Sequence, residues 1–331
     1  MADVALRKIS KAFGAGTAVD DVSMEIADGS FVVLLGPTGA GKTTTLRLIS
    51  GLDRPDSGDI FIDGRSVLNE TPAQRDVAMV FQQYSLYPHL SVRDNLAFPL
   101  RSPILKTPED EVKRKVHEVA EVLHITHKLD NRATALSGGE MQRVSIGRAL
   151  VRDPSIYLMD EPLSSLDAKL RADLRVELKR IQASLGATLL YVTHDQIEAM
   201  TMATHIGVLS NGRLEQFGSP RDIYENPSSL YVAGRLGLPR INALPANLFP
   251  GAPNGATTIG LRPEHIRYGE GKASRVVRIE HLGDQTRLHL HLEGHDIVTL
   301  TDVHTDLEPG DDVAIQPHNA LYFDASGARI A

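Results

Sequence analysis

The sequence contains no cysteine, which excludes a disulfide framework, a thiolate metal site and a cysteine nucleophile. It also lacks long hydrophobic runs, because stretches such as Phe31–Leu35 fall far short of the ~18 to 20 apolar residues that span a bilayer as a helix. Residues 1–13 mix charged residues with short apolar pieces and lack the apolar core of a secretory signal. We therefore expect no export signal, and we expect any membrane role to come from a partner.

The chain has no excess of positive charge either. Lys and Arg number 35 against 42 for Asp and Glu, which gives a formal net charge of −7. This balance disfavours a nucleic-acid-binding surface, and the hydrophobic content of 42% disfavours extensive disorder. At roughly 100 to 200 residues per domain, the 331 residues predict two domains.

Four short apolar runs each end on a polar residue or a glycine, with stretches of helical spacing between them. The runs are 31–35, 77–81, 156–159 and 189–192, and they lead into Gly36, Gln82, Asp160 with Glu161, and Thr193 with His194. Buried runs of this kind are typical of a parallel sheet covered by helices. Ligands bind beyond the carboxyl ends of such strands, so we expect these four ends to meet at one site.

The order of the patterns predicts the domain organisation. Residues 108–124 and 139–151 look helical and indicate a helical insertion, about 84–150, within an α/β domain at 1–235. A Gly- and Pro-rich stretch at 234–245 marks the predicted boundary. Beyond it the spacing of short β-like runs predicts a small antiparallel barrel or sandwich at 236–331. These runs are 257–261, 276–282, 286–292, 296–300, 312–315 and 321–323.

A glycine-rich segment follows the first apolar run. The residues are Gly36, Pro37, Thr38, Gly39, Ala40, Gly41, Lys42 and Thr43, which satisfy G-x-x-x-x-G-K-[ST] between a predicted strand and a predicted helix at 43–49. In this context the pattern marks a phosphate-binding loop. Glycines let backbone N–H groups face phosphate oxygens, a lysine reaches the β and γ phosphates, and a hydroxyl binds Mg²⁺. Lys42 and Thr43 occupy the last two of these positions.

Polar side chains close the other three runs. Asp160 is a carboxylate that could hold Mg²⁺ through water, and Glu161 could activate a water for attack. An acidic pair at a strand end is usually a solvated turn, but the phosphate-binding loop upstream favours the functional interpretation. Gln82 and His194 follow neighbouring predicted strands, so both could reach the γ phosphate.

A second glycine pair opens the helix predicted at 139–151. Ser137 and Glu140 satisfy the S-x-x-E capping box, so a well-capped helix is one interpretation. However, Gly138 and Gly139 cost helix stability, up to about 1 kcal/mol each in a helix interior and less in a first turn. They also expose backbone N–H groups, which favours a second anion site.

Together these residues resemble the ATP-binding subunit of an ABC transporter over nearly the whole chain. Six motifs of that family occur in the family's order. They are the Walker A loop 36–43 with Thr44, the Q-loop at Gln82, the signature 136–140, the Walker B pair Asp160 and Glu161, the D-loop 164–167 that ends on Asp167, and the switch His194.

The resemblance implies a head-to-tail homodimer that binds ATP and Mg²⁺. Ser137, Gly138 and Gly139 of one subunit would clamp the γ phosphate held by Lys42 of the other. Glu161 would be the general base, and His194 would steady the γ phosphate. Thr43, Gln82 and Asp160 would hold Mg²⁺, Asp160 through water. Phe13 lies where the family stacks an aromatic ring on adenine, although it could also be a core residue at a strand end.

The C-terminal part of the chain and the segment after Gln82 make the resemblance more specific. Residues 241–245 and 259–265 resemble the OB-like accessory domain of carbohydrate importers, and 84–90 resembles the maltose and glycerol-phosphate importer group. Tyr84, Tyr87 and Leu90 lie where that group receives short helices from membrane subunits, or else they pack inside the helical insertion. The implied fold is an α/β P-loop domain with a helical insertion, followed by a small all-β OB-like barrel.

The implied function is ATP-driven uptake of a sugar, polyol or glycoside-like solute at the cytoplasmic face of the bacterial inner membrane. Its partners would be two membrane-spanning permease subunits and, through them, an extracytoplasmic solute-binding protein, with no nucleic acid.

A small-molecule P-loop kinase is an alternative, but it would not need the signature 136–140. An ABC ATPase acting on nucleic acid or the ribosome is another, but such proteins usually carry two nucleotide domains or long coiled-coil insertions. A transporter that exports its solute is a further alternative, and only the resemblance of the C-terminal part to carbohydrate importers argues against it.

Overall fold

The computed structural model describes residues 2–103 and 105–330, and it divides into two compact units, Met1–Pro220 and Arg221–Ala331. The strands of the first unit are β1 (Val4–Phe13), β2 (Gly16–Ile26), β3 (Phe31–Leu35), β4 (Ser57–Ile62), β5 (Arg65–Ser66), β6 (Val77–Val80), β7 (Ile156–Asp160), β8 (Thr188–Thr193), β9 (His205–Ser210) and β10 (Arg213–Gly218). The α-helices of both units, in the described residues, are α1 (Lys42–Ser50), α2 (Val92–Ala97), α3 (Glu109–Val122), α4 (Gly138–Leu150), α5 (Ala168–Leu185), α6 (Gln196–Met202), α7 (Pro220–Glu225) and α8 (Leu230–Ala233). In the described parts of the chain, no helix has both the length and the apolar character needed to cross a bilayer.

A six-stranded sheet in the order β10-β9-β3-β8-β7-β6 forms the centre of the first unit. All its neighbouring pairs are parallel except β9 with β10. The four apolar runs of the sequence are β3, β8, β7 and β6, which lie side by side. Every residue of β3, β7 and β8 is buried, as expected for strands covered on both faces. The carboxyl ends of the four strands therefore meet at one edge, as predicted.

A second sheet, antiparallel and in the order β2-β1-β4-β5, was not predicted from the sequence. Its longest pair, β1 with β2, carries three register shifts, between Leu6 and Ile9, Ile9 and Lys11, and Lys11 and Ala12. Each bulge reverses the faces of the residues that follow it, so the alternation of apolar and polar residues is interrupted. The sequence pattern of a half-buried strand is lost for that reason.

Helix α1 lies within the hydrophobic core that the two sheets share. Leu46, Leu48 and Ile49 are fully buried in one cluster with residues of β1, β2, β4 and the parallel strands. Because α1 begins directly after the glycine-rich loop, this packing fixes the end of the helix that faces the strand edge. Helices α2, α3 and α4 fill the interval between β6 and β7, and α3 and α4 match the two helices predicted there.

The second unit is all-β apart from short helices. Its strands are β11 (Asn242–Pro245), β12 (Thr258–Leu261), β13 (Ile266–His281), β14 (Thr286–Leu292), β15 (His295–Thr301), β16 (Asp312–Pro317), β17 (Leu321–Phe323) and β18 (Arg329–Ile330). They form two antiparallel sheets, β11-β12-β17-β18 and β15-β14-β13-β16, with a common core. The expected all-β OB-like domain is confirmed, and each of the six predicted runs lies in a strand or overlaps one.

The long strand β13 differs from the prediction because only its second half was expected. Gly269 and Gly271 adopt positive φ angles of 101° and 107° in its first half. Glycines in left-handed conformations mark bulges and break the sequence signal of a strand. Helix α7 begins at Pro220, the last residue of the first compact unit, and α8 lies in the second unit. The compact units thus divide after residue 220, and the domain boundary expected after residue 235 stays a prediction.

Candidate nucleotide-binding site

The glycine-rich loop connects β3 to α1 at the strand edge. Gly41 is the N-cap of α1 with φ 97°, a left-handed conformation that favours glycine, and a Cβ there would lie 2.4 Å from the carbonyl oxygen of Ala18. Glycine has no side chain to cap the helix, so the first-turn N–H groups of α1 receive no side-chain cap from Gly41. The carbonyl of Ala40 accepts a hydrogen bond of 3.2 Å from the N–H of Gly212, which anchors the loop to the turn after β9.

Lys42 is buried at this loop, with 5% of its surface exposed. Its Nζ donates hydrogen bonds to the carbonyl oxygens of Gly36 at 2.9 Å and Pro37 at 3.0 Å. The same nitrogen lies 3.5 Å from Oε1 of Glu161. The ammonium group therefore stands between the phosphate-binding loop and the acidic pair at the end of β7.

Thr43 and Asp160 meet although 117 residues separate them in the chain. The threonine hydroxyl donates a hydrogen bond of 2.9 Å to Oδ1 of the carboxylate. Burial raises the pKa of Asp160 above its ordinary value, and the Thr43 hydrogen bond partly opposes this rise. Thr43 is exposed, whereas Asp160 is buried. A hydroxyl and a carboxylate in contact are oxygen ligands of the kind Mg²⁺ prefers, so these residues fit that ion.

Glu161 has a left-handed backbone with φ 43°, which is unusual for a residue other than glycine. Its N–H donates to the carbonyl of Val192 on β8 at 3.1 Å, and its own carbonyl accepts hydrogen bonds from the N–H and Oγ of Ser164. Its Oε2 lies 3.0 Å from Nδ1 of His194. Hydrogen bonds to Val192 and Ser164 therefore fix the backbone of Glu161, and its carboxylate lies between Lys42 and His194.

Ser164 was part of the predicted D-loop, but its contact with Glu161 was not foreseen. The only signal in the sequence was its position three residues after the carboxylate. Thr44 lies in the first turn of α1 and is half-buried, while Thr38 and Gly39 are exposed on the loop.

Gln82 and Phe13 are exposed, and neither is joined to the Lys42, Glu161 and His194 cluster by a hydrogen bond that the structure shows. Gln82 follows β6 at the same sheet edge. Phe13 ends β1 with 52% of its surface exposed, which contradicts the alternative of a core residue, and the ammonium of Lys11 lies 5.5 Å from its ring centroid. Its adenine-stacking role stays a prediction.

The signature residues form a capping box at the start of α4. The N–H of Glu140 donates to Oγ of Ser137 at 3.4 Å, and the N–H of Ser137 donates to Oε2 of Glu140 at 2.8 Å. A Cβ on Gly139 would lie 2.1 Å from Cδ2 of Leu170 on α5, so a larger residue there would displace the end of that leucine side chain. Ser137 makes its hydrogen bonds within this box and not to the phosphate-binding loop of its own chain. Asp167 caps α5 by accepting a hydrogen bond of 3.0 Å from the N–H of Leu170.

The segment after Gln82 packs on the helical insertion. The buried side chain of Asn95 binds both the N–H and the carbonyl of Tyr87, and the Tyr87 ring lies 4.3 Å from that of Phe98. The guanidinium of Arg148 lies over the same ring. The interpretation as packing therefore holds for Tyr87, and docking of a partner on this segment stays a prediction.

Comparison with known proteins shows the family to which the chain belongs. Residues 19–164 match the ABC transporter family, and residues 259–321 match the TOBE domain family. The sn-glycerol-3-phosphate import ATP-binding protein UgpC of Ruegeria sp. (strain TM1040) is 44% identical over 352 residues, which covers 100% of both chains. The chain belongs to the ATP-binding proteins of ABC transporters. It is thus a transport ATPase subunit, and its P-loop fold is the ATP-binding fold of that family.

Other members of the ABC family extend the comparison. The trehalose/maltose import ATP-binding protein MalK of Thermococcus litoralis is 51% identical over 252 residues, covering 74% of this chain and 67% of MalK. A dimeric ATP-binding cassette solved in a post-hydrolysis state with ADP and Pi is 30% identical with a TM-score of 0.60, covering 66% of this chain and 99% of the other. The kinase and nucleic-acid alternatives are not favoured by these relatives.

Proposed function

We propose that this ABC ATPase powers the uptake of a sugar, polyol or glycerol-phosphate-like solute. The import proteins UgpC and MalK, to which the chain is similar over most of its length, support this solute class. The observation that carries the catalytic part of the proposal is the contact of Glu161 with both Lys42 at 3.5 Å and His194 at 3.0 Å. These three groups place a carboxylate, an ammonium and an imidazole beside one phosphate-binding loop.

Each group of this cluster has a role in ATP hydrolysis. The loop N–H groups and Lys42 bind the phosphates of the substrate and stabilise the negative charge that develops on the γ phosphate. Glu161 accepts the proton of the attacking water as general base. His194 keeps the Glu161 carboxylate oriented and donates to the γ phosphate.

Thr43, Asp160 and Gln82 are the residues that would hold Mg²⁺, with Asp160 acting through water. When bound, the ion would neutralise part of the negative charge of the phosphates. The hydrogen bond from Thr43 to Asp160 keeps the hydroxyl and carboxylate oxygens together at the edge of the sheet. Phe13, exposed at the end of β1, offers its ring to the adenine base.

A head-to-tail homodimer completes the site. Ser137, Gly138 and Gly139 of one copy contact the γ phosphate bound at Lys42 of the other, and Asp167 lies in the loop that faces the partner. The absence of hydrogen bonds from Ser137 to the phosphate-binding loop of its own chain, within the part of the chain that the structure describes, is consistent with action across a dimer. ATP binding closes this dimer and hydrolysis reopens it.

The membrane partners are two membrane-spanning permease subunits, which receive solute from an extracytoplasmic solute-binding protein. The ATPase then works as a peripheral protein at the cytoplasmic face of the bacterial inner membrane. We assign ATP hydrolysis to residues 1–235 with a helical subdomain at about 84–150, and an accessory role to residues 236–331.

The test is purification of the tagged chain from detergent-extracted membranes of its native host, followed by reconstitution of the complex in proteoliposomes that enclose ATP. Two multi-spanning proteins should co-purify. Labelled maltose, trehalose and sn-glycerol-3-phosphate are then offered with the solute-binding protein. We expect ATP-dependent uptake of one of them, and none by the matched complex carrying Glu161→Gln. Recovery of ribosomes or DNA in place of permeases would contradict the proposal.

A further inference from the structure

Arg171, in the first turn of α5, lies between two segments that each carry a residue of the nucleotide site. One segment is the turn after β7, which holds Glu161 and continues into the D-loop at 164–167. The other is the turn after β8, which holds His194. The guanidinium group of Arg171 contacts both segments, which makes it a bridge between them.

On the first side, the guanidinium group binds the backbone at both ends of the D-loop. Its Nε donates a hydrogen bond of 3.3 Å to the carbonyl oxygen of Leu163, and its Nη2 donates one of 2.8 Å to the carbonyl oxygen of Leu166. Between them, Ser164 donates through its N–H and its Oγ to the carbonyl oxygen of Glu161. Because a guanidinium group presents its donors in a rigid planar fork, two bonds to one loop fix the shape of that loop.

On the second side, the same group faces Asp195, the residue after His194. Nη1 of Arg171 lies 3.7 Å from Oδ2 of Asp195, in a pair whose side chains are only 30% and 23% exposed. Oδ1 of Asp195 accepts hydrogen bonds from the N–H groups of Ile197 at 2.7 Å and Glu198 at 3.4 Å. Asp195 is therefore the N-cap of α6, and its carboxylate binds the helix with one oxygen and faces the arginine with the other.

These contacts close a ring that includes the carboxylate of Glu161. Oε2 of Glu161 lies 3.0 Å from Nδ1 of His194. The rest of the ring runs from the Glu161 carbonyl through Ser164 and the D-loop to Arg171, then to Asp195 and along the chain to His194. In the described part of the chain, no hydrogen bond or ion pair joins Arg171 to the phosphate-binding loop. Its contacts therefore act on the turns that carry Glu161 and His194.

We infer that Arg171 is a positioning residue for ATP hydrolysis, which holds the D-loop and the His194 turn at one spacing and so keeps Glu161 in contact with His194. This inference rests on the proposed roles of Glu161 and His194. Because a general base must stay within hydrogen-bond reach of its proton, a small shift of either turn slows the chemical step. Binding of ATP depends on the phosphate-binding loop and is kept. Loss of Arg171 therefore lowers kcat and leaves KM unchanged.

The test is steady-state phosphate release by the full-length protein, which gives kcat and KM for ATP. The variants are Arg171→Gln, Asp195→Asn and the two combined. Asparagine still caps a helix through its oxygen, so Asp195→Asn removes the ion pair and spares the start of α6. We expect each single variant to lower kcat roughly 10-fold to 100-fold, with KM within about twofold of wild type. The double variant should be no slower than the slower single variant, because both changes break the same bridge.

Two further variants sharpen the comparison. Arg171→Lys keeps a positive charge beside Asp195 but lacks the fork that binds two carbonyl groups, so it should recover only part of the lost kcat. Arg180→Gln, at an exposed position on the same helix, is the matched control and should keep the kcat of wild type. Melting temperatures report whether each variant folds. If Arg171→Gln does not fold, the comparison of Asp195→Asn with wild type decides the question.

Wild-type kcat in folded Arg171→Gln and Asp195→Asn would overturn the inference. Losses that add up in the double variant would also do so, because they would show that the two residues act independently. A loss of activity that comes from a raised KM would contradict the positioning role as well. Glu161→Gln is measured in parallel to distinguish this failure from that of the proposed function. Hydrolysis lost in Glu161→Gln but intact in the Arg171 variants overturns only the positioning role, whereas full turnover by Glu161→Gln overturns the proposed base.

Discussion

Two helices of this protein begin at glycine-rich segments, yet their first turns are built in opposite ways. Helix α1 begins after Gly41, a left-handed residue that cannot cap the helix with a side chain. Helix α4 begins after Ser137, in extended conformation, with both halves of a capping box present. The first helix start leaves its N–H groups for a ligand, whereas the second satisfies two of its own.

The difference fits the proposal that each chain contributes two halves to the phosphate sites of a dimer. At α1 the ligand groups Lys42, Glu161 and His194 stand together within a single chain. At α4 the exposed hydroxyl of Ser137 also lies 3.0 Å from the Glu140 carboxylate, which is itself paired with Lys128 at 3.1 Å. A self-capped helix start is stable without ligand, which is compatible with the proposed binding of a phosphate held by another subunit.

The largest effects should follow from changing Lys42 at the start of α1 and the neighbouring Glu161. Lys42→Ala should lower ATP turnover by about 100-fold or more, because a preorganised donor to the developing negative charge is lost. Turnover is measured by phosphate release, with circular dichroism to check the fold. Lys169→Ala, an exposed lysine at the start of α5, is the matched control and should retain activity. Full turnover by Lys42→Ala would contradict the assignment of the phosphate-binding loop.

Glu161→Gln separates hydrolysis from binding at the same site. The amide cannot accept the proton of water, so turnover should fall by about 10² to 10⁴-fold while ATP affinity is kept. The measurement pairs single-turnover hydrolysis with nucleotide binding, and Glu177→Gln on α5 serves as control. Intact hydrolysis would show that another group is the base.

Ser137→Arg tests the second helix start. A bulky cation at the cap should block ATP-induced dimerisation and leave ATP binding to the monomer within about twofold, if the signature acts across the dimer. Light scattering with ATP in the Glu161→Gln background reports the dimer, and Ala325→Arg on an exposed turn of the second unit is the control. An equal loss of monomer ATP binding would show that the signature acts within its own chain.

Asp160→Asn should reveal the energetic cost of the buried carboxylate. Because burial raises the folded pKa of Asp160 above 3.8, the folded protein holds that proton more tightly than the unfolded chain does. The protonated carboxyl group of Asp160 thus stabilises the folded protein below pH 3.8. This contribution is lost as the pH rises through the folded pKa. The amide variant should therefore unfold at a higher temperature than the wild type at pH 7, with this gain disappearing near pH 3.

The melting temperatures are compared without nucleotide or Mg²⁺ across that pH range. Asp56→Asn is the control, since its pKa is lowered by Lys11 and its side chain is exposed, so it should not stabilise the protein at pH 7. A constant difference between Asp160→Asn and wild type at all pH values would contradict the role of ionisation.

The smallest effect should come from the cap of α4. Glu140→Ala removes one half of the capping box and should lower the free energy of unfolding by about 1 kcal/mol. Glu140→Gln keeps an acceptor at the same position and should cost much less. Urea denaturation compares the two variants, and equal losses would show that the charge of Glu140, through Lys128, matters more than the cap.

Much of the fold could be predicted from the sequence because the patterns that identify these strands and helices lie within short segments of the chain. The buried runs that became β3, β7 and β8 are continuous in the chain, and the capping residues of α4 lie within four positions of each other. The antiparallel sheet around β1 was missed because its register shifts between Leu6 and Ala12 interrupt the alternation that identifies a strand. Phe13 was assigned two possible environments, and only the fold showed that it is exposed.

The sequence by itself determined the chemistry of the nucleotide site, since the loop 36–43 and the polar strand ends each carry their own pattern. The tertiary structure decided which of these groups touch. The 2.9 Å contact of Thr43 with Asp160 depends on the packing of β3, β8 and β7 side by side. Periodicity and glycine report on neighbours along the chain, whereas burial and contacts between distant residues are properties of the folded whole.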